Sequence, residues 1–299
     1  MRFKKEFDFI HLSKFFYIFS TVLTLMGLVF LLLFGLNYSV DFKAGSNVDV
    51  ALSKSITTDQ VLPAIKDIGS SEPEITQGNQ RLNIRYDTEL DEKQDTAIKE
   101  AILKLDDKAS FEINTVDTEM AKELARNAIY SVLLSCIGII LYVSIRFEWR
   151  FALAAIVALI HDAFMVVAVF SIFRLEVDLT FIVAVLTIIG YSINDTIVIF
   201  DRIRENLRFG KQKTYADMKA LVNKSVSQTL MRSLYTAFTV FIAAFFLLIM
   251  GGASIKMFSL AMVIGLLFGA YSSIFIASPL WLVLKKRQKT SVKSNTAKV

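Results

Sequence analysis

The sequence predicts a membrane all-α bundle of six transmembrane helices, with one extracytoplasmic α+β domain of ferredoxin-like order inserted after helix one. Three observations carry that prediction. Of 299 residues 54% are hydrophobic, the mean hydropathy is +0.52, and there are 25 Phe against 3 Pro. The 20% of charged residues leaves the apolar ones clustered, in six runs that approach the roughly 20 residues a spanning helix needs. One long polar stretch, 37–124, separates the first run from the rest. This composition excludes a soluble enzyme, a disordered chain and a disulfide scaffold. Cys136 is the lone cysteine, and His11 and His161 lie far apart, so the sequence offers no disulfide and no metal constellation.

The six spans are placed at 15–36, 125–145, 151–173, 179–200, 233–250 and 257–284. The first follows Arg2, Lys4, Lys5 and Lys14, as a signal peptide would. Its apolar run of about 22 residues exceeds a signal core of about 7–15, and it is expected to be an uncleaved anchor. Lys and Arg orient the bundle. Twenty fall in the 1–14 segment, the connection at Arg146 and Arg150, the basic connection 201–232 and the tail 285–299, whereas the opposite short loops hold only Arg174 and Lys256. Trp149 and Trp281 lie on the basic side, as interfacial anchors do. Both termini are therefore expected in the cytoplasm of a cell-membrane protein. The basic connection and tail are expected to touch lipid headgroups rather than nucleic acid.

From 41 to 119 the polar stretch carries 17 acidic and 9 basic residues, the balance of a soluble domain. Alternation predicts strands at 47–52, 74–76, 82–86 and 111–116, with a turn at Gln77-Gly78-Asn79. Apolar residues at helical spacing predict helices at 57–68 and 90–105. The order β-α-β-β-α-β is that of a ferredoxin-like sandwich. It shows no catalytic constellation; a lid or spacer, or a surface for an extended chain, are its two readings.

Ionisable groups inside a span are costly and usually functional. Asp195 sits six residues before Asp201, about 9 Å inside the cytoplasmic end of the fourth helix. Thr187, Gly190, Asn194 and Asp201 share one face of that helix, with Asp195 on its flank. On the fifth helix Gln228, Arg232, Tyr235 and Thr239 share a face, and Arg232 lies at a depth like that of Asp195. A carboxylate and a guanidinium so placed can pair, and burial and the cation act on the carboxylate in opposite senses, so a small rearrangement switches its proton. The alternatives are a static ion pair and an arginine that reaches the headgroups. His161 and Asp162, mid-way along the third helix, are a second candidate relay or a packing pair. Gly265, Gly269, Ser273 and Ala277, four apart on the sixth helix, form a small-residue ridge for close packing. A partner chain is expected on the polar face of the fourth helix or on this ridge. With no nucleotide or hydrolase motif, the chain is expected to be no enzyme, to hold no cofactor, and to draw on an ion gradient or a partner's ATP.

The run 184–206, AVLTIIGYSINDTIVIFDRIREN, strongly resembles the fourth-helix signature of the SecF family of protein-export membrane subunits. IVALIHD at 156–162, SQTLMRSLYT at 227–236 and GGASIKMFSLAMVIGLLFGAYSSIFIASPL at 251–280 match it in order. The layout is also shared with RND exporters. Asp41-Phe42-Lys43-Ala44-Gly45-Ser46 resembles the family's D-F-x-G-G-T stretch with Ala44 in place of a Gly, and a Gly-Pro segment before the second helix is missing. The resemblance implies a SecD partner, the SecYEG channel and a translocating polypeptide, with SecA and YajC or YidC as further contacts. It also implies that proton motive force drives late export. By the same resemblance Asp195 is the proton-responsive carboxylate, Arg232 its charged neighbour and Asn194 the residue beside them. A proton-coupled small-molecule exporter and a passive scaffold are the rival classes. An exporter needs a second large outer loop and an internal duplicate, and neither is visible here.

Overall fold

A computed structural model describes residues 7–54, 56–69, 71–78, 81–209 and 214–286. The turn residue Asn79, the start and end of the chain and part of the basic connection lie outside them. Six helices are long and apolar enough to cross a membrane. They are α1 (Phe9–Phe34), α5 (Thr118–Arg146), α6 (Trp149–Ile172), α7 (Leu179–Phe209), α8 (Tyr215–Met250) and the helix Ser254–Lys286, which begins as α9 (Ala253–Ser272). That last helix passes through a π-helical turn at Ser273–Ala277.

Several helices run beyond the spans read from hydropathy. Most of the 201–232 connection is helical, because α7 continues to Phe209 and α8 begins at Tyr215. Charged residues extend these ends because they pair there: Arg146 donates to Asp201 at 3.2 Å, and Arg202 to Glu205 at 2.6 Å. Thr214 and Asp217 form a reciprocal cap on α8. The start of α1 is held to α8 through Asp8, which accepts from Asn223 at 3.0 Å and pairs with Lys219.

The bundle core is made by α6, α7 and the sixth spanning helix, while α1, α5 and α8 leave most of their surface uncovered. Phe151, Phe200 and Trp281 close the half of the bundle farther from the insert, with Phe151 stacked on Trp281 at 4.7 Å. Phe170, Phe181 and Ile188 fill the other half. Glycine sets two close approaches. A Cβ on Gly27 would meet Ala168 at 2.3 Å, and one on Gly265 would meet Ile188 at 2.2 Å.

Between α1 and α5 the chain forms β1 (Asn37–Tyr38), α2 (Val40–Lys43), β2 (Gly45–Ala51), α3 (Thr58–Ile65), β3 (Glu74–Gly78), β4 (Arg81–Tyr86), α4 (Glu92–Leu103) and β5 (Ser110–Val116). The sheet has the order β3-β4-β2-β5, with every pairing antiparallel. Val48, Val50, Leu82 and Ile84 alternate onto one face and bury against Val61, Ile65, Ile98 and Ile102 of the two helices. Asp106 is buried under this unit and accepts from the backbone and hydroxyl of Ser53, both at 2.5 Å, and from Lys54 and Lys108.

The insert is moored to the bundle mainly at the junction before α7. β1 pairs in parallel with β6 (Glu176–Val177), in the loop before α7. Arg85 of β4 is buried there; it donates to the Tyr38 carbonyl at 2.8 Å and lies 3.5 Å from Glu176. Asp41 accepts from the Leu179 N–H at 3.1 Å, and Asp178 from Phe181 at 2.7 Å, so carboxylates from the insert and the loop together cap α7. Arg174 donates to the carbonyls of Phe34 and Gly35 at 2.8 and 2.9 Å, which satisfies the last turn of α1. A second contact joins Ser254 to Glu112 at 3.1 Å.

Candidate functional site: a buried polar track

Asp162 is fully buried in the centre of α6. Its Oδ2 accepts from Ser192 of α7 at 2.5 Å and from Ser272 of α9 at 2.6 Å. Its Oδ1 lies 2.8 Å from Nδ1 of His161. The other ring nitrogen of His161 is 3.0 Å from the Ser20 hydroxyl of α1 and 3.3 Å from the Tyr271 hydroxyl, which are themselves 3.0 Å apart. Four helices therefore meet on one hydrogen-bonded group. A carboxyl group at this depth persists because both of its oxygens have hydrogen-bond partners; unpaired, it would cost several kcal/mol.

Asp195 is treated differently. It is 7% exposed, one turn along α7 from Ser192, yet among the described residues its carboxylate accepts no hydrogen bond of full geometry and forms no ion pair. It lines a cavity of about 10 Å³ with Ser192, Thr236, Gly265 and Gly269, room on the scale of one water. Arg232 stands on the facing part of α8 and its charge acts on Asp195. Its side chain is exposed, however, and does not bond the carboxylate. The direct pairing expected from their similar depth is thus absent among the described residues. The next residue, Ser233, turns a buried hydroxyl toward Asp195 without completing a hydrogen bond. Asn194 is exposed on the flank beside it, together with Gly190 and Tyr191.

The small-residue ridge packs inside the chain. Gly265 lies against Ile188, Gly269 brings its Cα within reach of the Ser192 Cβ, and Ser273 bonds Thr196 at 2.8 Å. Its partner is therefore the i, i+4 row 188-192-196 of α7, and the expectation of a second chain on this ridge is corrected. The polar face of α7 at Gly190 and Asn194 stays uncovered. Gly269 adjoins both the seam and the site: a Cβ there would stand in ordinary contact, 3.4 Å from that of Ser192 and 3.8 Å from Asp162 Oδ2.

Sequence reasoning found Asp162, His161 and Asp195 and missed Ser20, Ser192, Tyr271 and Ser272. Serine is common in spanning helices, so a hydroxyl alone gives no signal. The usable one was registration: Ser192 precedes Asp195 by three residues and Ser272 follows Gly269 by three, each within one turn of a residue already marked. Among the described residues no group of His, Cys, Asp and Glu is arranged to hold a metal ion. The arrangement can hold a proton and pass it between oxygen and nitrogen atoms.

The chain matches the family model for the C-terminal part of the protein export membrane proteins SecD and SecF over residues 97–287. It is 45% identical over 291 residues to the protein translocase subunit SecF of Alicyclobacillus acidocaldarius, covering 95% of this chain and 94% of that one. It is 44% identical over 286 residues to the protein translocase subunit SecDF of Bacillus subtilis, covering 95% of this chain and 39% of that longer one. The fold is similar to the crystal structure of SecDF, a translocon-associated membrane protein from Thermus thermophilus. The TM-score is 0.84 at 31% identity, over 95% of this chain and 39% of that one. A bundle of six apolar helices with these relatives is a multi-pass membrane protein, and the chain belongs to the SecD/SecF family of protein export membrane proteins.

Proposed function

We propose that this chain is the SecF-type accessory subunit of the Sec protein translocase in a bacterial cytoplasmic membrane, coupling proton motive force to late protein export. In this reading it pairs with a SecD chain beside the SecYEG channel. The fusion of both names in the 44% identical Bacillus subtilis relative supports that pairing. Both termini lie in the cytoplasm and the insert, read as a ferredoxin-like domain, lies on the outer face, because the Lys and Arg excess is on the terminal side. The chain is no enzyme and holds no cofactor; its energy comes from the gradient.

The observation that carries the reading is Asp195. A buried carboxylate with no hydrogen bond of full geometry, in a water-sized cavity and within the field of Arg232, is poorly stabilised in its charged form and has little structural use. It is fitted to gain and lose a proton, with Arg232 always charged and able only to bias it. A passive scaffold would keep no such group. Asp195→Asn preserves the shape and cannot carry a proton. We expect it to insert and assemble normally and to abolish the uncoupler-sensitive part of export from energised vesicles, measured after the ATP-dependent stage. Asp195→Glu retains part of the rate, and Arg232→Lys is weaker than wild type. Wild-type export by Asp195→Asn, still sensitive to uncoupler, refutes ion coupling at this residue.

A further inference from the structure

The hydrogen-bonded group on Asp162 and the Asp195 cavity share one side chain. Ser192 donates to Asp162 Oδ2 at 2.5 Å and lines the cavity that Asp195 faces. Ser272 donates to the same oxygen at 2.6 Å and does not line that cavity. We propose that Asp195 and the His161–Asp162 pair are two stations of one proton-exchange path across the bundle, with Ser192 as its bridge. This rests on the reading of Asp195 as a proton carrier and extends it to a second station.

Each step conserves atoms. Protonated Asp195 gives its proton to a water in the cavity, and that water gives one of its own to Ser192 Oγ. Ser192 releases its original proton to Asp162 Oδ2, and every oxygen is left with its starting complement except the two carboxylates, which have exchanged states. A turn of the neutral Asp162 carboxyl group brings the protonated oxygen to the position facing His161, 2.8 Å from Nδ1, and the proton passes to that nitrogen in the tautomer that carries its hydrogen on Nε2. The ring can return it or release one from Nε2 to the Ser20–Tyr271 hydroxyl pair, 3.0 and 3.3 Å away. The titratable and charged groups facing this path from the packed helices are Tyr191 and Asp195 of α7, Arg232 of α8 and Tyr271 of α9. Tyr17 of α1 is engaged elsewhere, donating to the Ile276 carbonyl at 3.0 Å. The path runs laterally, from the uncovered side of α7 to α1.

The chain contains two histidines, His11 and His161, so nitrogen-15 labelling of histidine in the full chain, held in lipid nanodiscs, reads the second station directly. Between pH 5 and 9 we expect Asp195→Asn to shift the His161 ring signals at matched pH while leaving those of His11 in place. In a Ser192→Ala background the same replacement moves nothing, whereas in a Ser272→Ala background the shift persists. Identical His161 signals in wild type and Asp195→Asn overturn the path, and this arm leaves Ser192 and Asp162 untouched. A shift that survives Ser192→Ala overturns the bridge. Export is not the readout: Asp195→Asn that still exports defeats the coupling reading while the spectra decide the path separately.

Discussion

At the scale of single residues, the most informative departure from the family pattern is Ala44. It ends α2 with φ of 68° and ψ of 160°, a region that glycine occupies freely and a side chain does not. The D-F-x-G-G-T resemblance marks this position as the replaced Gly, and the backbone has kept the shape the glycine would require. Gly45 follows at φ of 129°, with the Tyr86 carbonyl 2.4 Å from where its Cβ would be, so the strain cannot be moved one residue along. Replacing Ala44 with Gly is expected to stabilise the insert by about 1 kcal/mol or more, read as a higher thermal midpoint with unchanged membrane insertion. A lower midpoint would mean that the alanine is packed to advantage. The substitution was legible in the sequence; its cost was not, because a positive φ depends on how β2 leaves α2. Asp195 shows the same division. Its position in an apolar helix marked it from composition alone, whereas the separation from Arg232 depends on which way two long helices turn, and equal depth does not give that.

Between elements, two acidic sites respond to pH in opposite senses. Four donors hold Asp106 under the insert, the Ser53 hydroxyl foremost, and its carboxyl is brought down to about 2. The ordinary aspartate value is about 3.9. The fold thus favours the charged form, and the stabilisation is present above the unfolded value and lost as pH falls through the folded one. Glu176 and Asp178, at the junction before α7, are instead pushed up, first by burial and then by neighbouring carboxylates, with Arg85 opposing this at Glu176. Here the folded state binds protons more tightly. Its contribution is complete below the unfolded value and fades as pH rises through the folded one. Amide exchange, corrected for the intrinsic rate, separates the two. Protection at Ser39, which bonds the Val177 carbonyl at 2.9 Å, should grow as pH falls from neutral, while Ser53 and Lys54 hold theirs until below about pH 4. Loss of protection at both places together would contradict the assignment. The strands and helices of the insert were readable because each carries a full period of alternation or helical spacing. β1 and β6 were not, since each has only two residues and their pairing joins segments 139 positions apart between Asn37 and Glu176.

For the whole molecule, six spans and the polar insert follow from where apolar residues cluster, and they survive any error in the ends of helices. What the chain does not supply is cover for α5 and α8, or for the Gly190–Asn194 face beside Asp195. If a SecD chain covers that face, a cysteine at position 194 should cross-link to the co-purifying membrane chain, whereas one at Leu134, 72% exposed on α5, should not. Equal cross-linking at both would leave the α7 face without a special role. The junction and the cavity are also parts of one object. α7 is a helix of 31 residues, about 46 Å long, clamped at its N-terminus by Asp41 of the insert and tied in its C-terminal part, at Asp201, to Arg146. Asp195 is its seventeenth residue, so this carboxylate stands almost at the midpoint of a stiff rod. A rod that tilts about its centre moves both ends by equal amounts in opposite directions. A tilt of α7 about the turn that holds Asp195 would thus carry the Asp41 clamp and the Arg146 tie in opposite directions, with no second moving part needed.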